Sequence, residues 1–99
     1  MKTSAPSHLS DWHLRGIRRR TYTVAQTRVT CTLYAFSGGV AHTHAVGYAI
    51  GMKTRDDRVL YFLGHDAAWA VDVFERVTKY AVSPCTLKDV LDDLQAGKR

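Results

Sequence analysis

At Gly64-His65-Asp66 the spacing of apolar residues changes from two to between three and four. This switch divides the chain into a strand-forming part followed by a helix-forming part. Before it, Val29, Cys31 and Leu33 fall on one face of a run from Arg28 to Tyr34, with Thr30 and Thr32 on the other. That alternation predicts a half-buried strand over 28–34, with a possible start at Tyr22. Ser37-Gly38-Gly39 then supplies a reversal. A second strand is expected from about His44 to Lys53, with Val46, Tyr48, Ile50 and Met52 on one face and Gly47, Ala49 and Gly51 on the other. Arg55-Asp56-Asp57-Arg58 reads as a polar turn into a third strand, Val59–Leu63. Two short connections in succession favour an antiparallel meander, because parallel pairing needs a crossover of a dozen or more residues.

Beyond the switch, Asp66 suits an amino-terminal helix cap. Trp69, Val73, Val77 and Tyr80, with Ala70, Phe74 and Ala81, make the apolar stripe of an amphipathic helix of four to five turns. Ser83-Pro84 ends that helix and opens another. Leu87, Val90, Leu91 and Leu94 carry the second apolar face, and Gly97 closes the helix. The expected fold is therefore α+β, a three-stranded antiparallel meander with two C-terminal helices on one face (βββαα). Residues 1–20 are expected to be a basic, mostly irregular extension, and residues 21–96 a single domain, which suits a chain of 99 residues.

Charge is unevenly placed. Residues 1–28 hold six basic side chains against Asp11 alone, whereas the remaining segment holds eight of each sign. The net charge of +5 thus belongs to the amino-terminal part. Arg15, Arg18, Arg19, Arg20 and Arg28 are candidate contacts to nucleic acid, with Trp12 and Tyr22 flanking the cluster. The competing reading is that Arg18-Arg19-Arg20 only solubilises the entry to the first strand. A nucleic-acid-reading sheet would carry exposed aromatics on adjacent strands, and the outer face anticipated here offers Tyr34 alone among Thr30, Thr32, Gly47, Ala49 and Gly51.

Val82-Ser83-Pro84-Cys85-Thr86-Leu87-Lys88-Asp89-Val90-Leu91-Asp92-Asp93-Leu94, with Gly47-Tyr48-Ala49-Ile50 and Leu63-Gly64-His65-Asp66 before it, resembles a family of short uncharacterised clostridial-type bacterial proteins. The family shares a closing Ser-Pro-x-x-Leu-x-Asp-Val-Ile-Glu-Asp segment, and the resemblance spans roughly 22–95. The chain departs from that pattern at Gly64, Cys85 and Thr86. The resemblance supports the architecture and implies no activity.

Several motifs invite a chemical reading. His42-Thr43-His44 places two imidazoles at i, i+2 on one strand face, and Cys31 or His65 could add a third metal ligand. No second ligand pair follows, so solvated histidines in a Gly-flanked loop are the plainer reading, and neither a metal nor a cofactor is expected. Cys31 sits on an apolar strand face as a small hydrophobe. Cys85 occupies a helix first turn, where a thiol is acidified, but has no recognisable base at hand. Gly38-Gly39 feeds a strand rather than a helix, unlike a phosphate-binding loop. Asp89, Asp92 and Asp93 read as a solvated helix face. The chain is therefore expected not to be an enzyme.

Two helices can cover only one face of such a sheet. Gly47, Ala49, Gly51, Leu60 and Phe62 would form an apolar patch on the other face, awaiting a second copy, another protein, or the folded-back segment carrying Leu9, Trp12, Leu14 and Ile17. The preferred reading is a cytosolic protein-interaction or regulatory module with a protein partner or homodimer. The second is a nucleic-acid-binding accessory protein using the basic arm. A membrane role is not expected, because no apolar stretch is longer than Val59–Leu63. Two cysteines are too few for a disulfide framework, which favours a reducing compartment.

Overall fold

The computed structural model describes residues 13–38 and 45–98. It is an α+β fold in which four strands precede two helices: β1 (His13–Val24), β2 (Thr27–Gly38), β3 (Ala45–Lys53), β4 (Arg58–Gly64), α1 (Ala67–Lys79) and α2 (Pro84–Lys98). The sheet is antiparallel throughout and its spatial order is β1-β2-β3-β4, the order of the chain.

The sequence predicts three strands; the structure has four. Residues 13–20, assigned above to an irregular extension, are the first two-thirds of β1. Two physical features hide this strand. Its inward positions carry Arg18 and Arg20 rather than apolar residues, and the register shifts between Gly16 and Arg18, so no simple alternation survives. The turn into β2 is also unconventional. Ala25 and Gln26 both take positive φ (49° and 68°), as in the mirror-image two-residue hairpin turns that favour Asn-Gly.

One face of the sheet builds the core. Val29, Cys31 and Leu33 of β2 lie beside Met52 and Ile50 of β3 and pack under Ala70, Val73, Phe74 and Val77 of α1 and Leu87 of α2, all of them buried. α1 begins as expected, with the Asp66 carboxylate accepting from the Trp69 backbone N–H at 3.1 Å. It stops one residue before Tyr80, which is 70% exposed and so leaves the anticipated apolar stripe. α2 rests on α1 and on β4, and it continues through Gly97.

The inward arginines of β1 are held by α1. Arg20 pairs with Glu75 at 2.8 Å, donates to Thr78 Oγ1 at 3.1 Å, and lies over the Phe74 ring at 5.6 Å. Arg18 reaches the same carboxylate at 3.7 Å. Their aliphatic stems thus take the place of apolar side chains over the core margin. Two residues further along, the Tyr22 hydroxyl donates to the Val82 carbonyl at 2.7 Å and ties β1 to the connection between the helices.

Candidate binding face

Among the described residues no helix packs on the opposite face of the sheet, and the makeup of that face follows from register. On β2 the outward residues are Arg28, Thr30, Thr32, Tyr34 and Phe36. Opposite the last four stand Lys53, Gly51, Ala49 and Gly47 of β3. On β4, Leu60 faces Gly51, Phe62 faces Ala49 and Arg58 faces Lys53. On β1, Leu14 faces Phe36, Gly16 faces Tyr34 and Arg19 faces Thr32.

The glycines are floors for aromatic rings. A methyl group at Gly47 would come within 2.7 Å of the Phe36 ring and 3.0 Å of the Phe62 ring, and one at Gly51 within 3.0 Å of Tyr34. The rings therefore lie across β3 rather than standing away from it, as aromatics do over bare strand glycines. Phe36 and Phe62 meet at 5.5 Å between centroids in a tilted pair, and His65 adds an edge contact to Phe62 at 5.5 Å. The imidazole is steadied by a 2.9 Å hydrogen bond between its Nδ1 and the Val46 carbonyl.

The five residues expected to form an apolar patch do share this face, but not as equals. Leu60 and Phe62 are 52% and 59% exposed, whereas Gly47, Ala49 and Gly51 are buried beneath the rings and Leu60. Leu14, anticipated as part of a folded-back cover, belongs to the sheet itself and widens its exposed apolar area.

The five arginines of the candidate basic arm are not brought together. Arg15 pairs opposite Ala35 and points, with Arg18 and Arg20, to the helix side. Arg19 and Arg28 alone reach the bare face. There they join Lys53, Arg55 and Arg58, which were not among the residues expected to bind. These five cations and Asp56 rim a shallow groove of about 1090 Å³ floored by Thr30, Thr32, Tyr34 and Gly51. None of the five forms an ion pair with a described residue, whereas Arg18, Arg20, Arg76 and Lys88 all do. Lys53 and Arg58 stand directly opposite each other, a like-charge arrangement that disfavours the sheet unless an anion lies between them. Only strand register makes this cluster visible, since in sequence each residue reads as a charge beside a turn.

The candidate reactive groups fare differently. Burial pushes the Cys31 thiol up to about 12, so it is a protonated core side chain at neutral pH. Cys85 is exposed, with its sulfur 3.3 Å from Ser83 Oγ. His42 and His44 lie outside the described residues; among those described, no group of three His, Cys, Asp or Glu side chains is placed to hold a metal. No described helix is long and apolar enough to cross a membrane. No known protein family, curated protein or solved structure matches the chain, so this face stands on its own geometry.

Proposed function

We propose that the chain is a non-enzymatic module that binds single-stranded nucleic acid on the bare face of its sheet. The observation that carries this reading is the pairing, on one surface, of three aromatic rings laid over a glycine floor with five cations that have no acidic partner among the described residues. Unpaired bases stack on such rings regardless of identity, and the backbone phosphates meet the cations. Tyr34, Phe36 and Phe62 supply the shelf; Arg19, Arg28, Lys53, Arg55 and Arg58 supply the rim. Arg18 and Arg20 have no part in it, because Glu75 holds them on the other side. The reading includes a cytosolic location, in keeping with a buried free thiol at Cys31 and a second at Cys85 rather than a disulfide framework.

A protein partner is the second reading, favoured by the exposure of Leu14, Leu60 and Phe62 on the same surface. Fluorescence anisotropy with labelled oligo-uridylate and oligo-thymidylate separates the two. Single strands are expected to bind, and affinity should fall steeply with salt. Replacing Lys53, Arg58 and Arg19 together by Gln should lower the slope of log affinity against log salt by about 2, at roughly 0.7 for each phosphate no longer neutralised. Phe62→Ala should weaken binding by roughly tenfold, at about 1–3 kcal/mol per stacked base. No binding at low salt, or binding that ignores the triple substitution, would falsify the nucleic-acid reading and return the face to a protein.

A further inference from the structure

Among the described residues neither β1 nor β4 has a strand on its outer edge, and the two edges differ. β1 carries Arg15, Arg18, Arg19 and Arg20 and a register shift at Gly16/Arg18, both of which discourage pairing with another strand. β4 is charged at Arg58 alone, and its register shifts only at the far end, beside Gly64. Between them run five apolar residues, Val59-Leu60-Tyr61-Phe62-Leu63, without charge or proline, and Val59 to Phe62 pair regularly with β3.

Its composition is also self-complementary. An antiparallel pairing of β4 with its own copy, centred on Tyr61, sets Leu60 opposite the partner's Phe62 within the regular part of the strand, and brings Val59 and Arg58 to the partner's Leu63 and the partner's Gly64, where the register shifts. Aliphatic–aromatic pairs then line the bare face, and no two like charges face each other. Centring the pair on a residue also makes the hydrogen-bonding pattern match itself, whichever set of backbone groups points outward.

The helix above this edge points the same way. α2 packs on α1 and β4, at the margin of the sheet rather than over its middle. Of its apolar stripe only Leu87 is fully buried, and Val90, Leu91 and Leu94 remain half-covered beside the half-covered Tyr61 and Leu63. A second copy would complete both layers at once.

We infer that two copies of this chain join β4 to β4 about a two-fold axis at Tyr61, forming one continuous eight-stranded sheet. Isologous pairing of this kind uses the same patch on both subunits. The seam, made of the strand edge and α2, adjoins the basic groove, because Arg58, Val59 and Leu60 of β4 line that groove as well.

Sedimentation equilibrium of the full chain should give twice the 11.1 kDa of one chain. Leu60→Lys, at an exposed side chain, should keep the circular dichroism spectrum and weaken dimerisation at least tenfold, because a lysine would sit opposite the partner's Phe62. The register is tested separately, in a Cys85→Ser background. Tyr61→Cys lies on the axis and should form an interchain disulfide under mild oxidation. Arg58→Cys should not, because six residues separate it from its mate across the axis, roughly 20 Å at about 3.3 Å per residue. A monomer at every concentration overturns the inference, including one that captures some other protein. So does a dimer indifferent to Leu60→Lys, or one in which the cysteine at 58 links as readily as that at 61.

Discussion

Gly47 shows how much a missing side chain can do. Its bare backbone lets Phe36 and Phe62 approach to distances that a methyl group would occupy. Gly47→Ala must therefore push two rings aside, and it should cost about 1–3 kcal/mol in urea unfolding, the usual penalty for overpacking. The same change should weaken oligonucleotide binding, since the displaced rings no longer present flat faces. A variant as stable as the parent would mean that the rings move freely. Phe62 could be assigned to this face from sequence, because Val59–Leu63 is bounded by clear turn residues. Phe36 could not, because the alternation of β2 fades after Tyr34, where Ala35 and Ser37 occupy positions opposite Arg15 and His13 near the sheet edge. Lys53 and Arg58 were equally hidden, since their partnership exists only across the ladder.

At the level of elements, β2 to β4 and both helices follow from hydrophobic period, while β1 does not. A strand is legible when its buried positions are apolar, and those of β1 are filled by Arg18, Arg20 and Tyr22, whose polar ends find Glu75, Thr78 and Val82. Sequence cannot announce such an arrangement, because the partners lie more than fifty residues away. The hairpin that delivers β1 is similarly disguised. Ala25 and Gln26 hold left-handed backbone angles that cost roughly 1–2 kcal/mol each for residues with a side chain. Replacing the pair by Asn-Gly should therefore stabilise the protein by about 1 kcal/mol, read as a higher urea midpoint at unchanged slope. A neutral or lower midpoint would show that the turn is fixed by contacts other than its own backbone.

For the whole molecule, the core makes a prediction about alkali. The Cys31 thiol ionises at 9.0 when unfolded and at about 12 when folded, because burial opposes its charge. The Tyr22 phenol is raised from 10.0 for the same principal reason, with the Cys31 thiolate adding to it. Between pH 9 and 12 the unfolded chain therefore gives up protons that the folded chain retains, and stability falls as pH rises. Below pH 9 neither group contributes to the slope. Cys31→Ala should delay the onset of the fall by about one pH unit, to the range where Tyr22 alone titrates. Thermal melts across pH 8–11 would show this, and coincident curves for parent and variant would place the alkaline loss elsewhere.

Spatial order that follows chain order has a further effect. No strand is inserted between chain neighbours, so among the described residues β1 joins the sheet through its ladder with β2 alone. Fraying of that ladder would carry Arg19 away while Phe62, Lys53 and Arg58 stayed on the β3–β4 hairpin. On the proposed reading, the molecule would then loosen its hold on a nucleic-acid strand by degrees, giving up one wall of the groove before the aromatic platform.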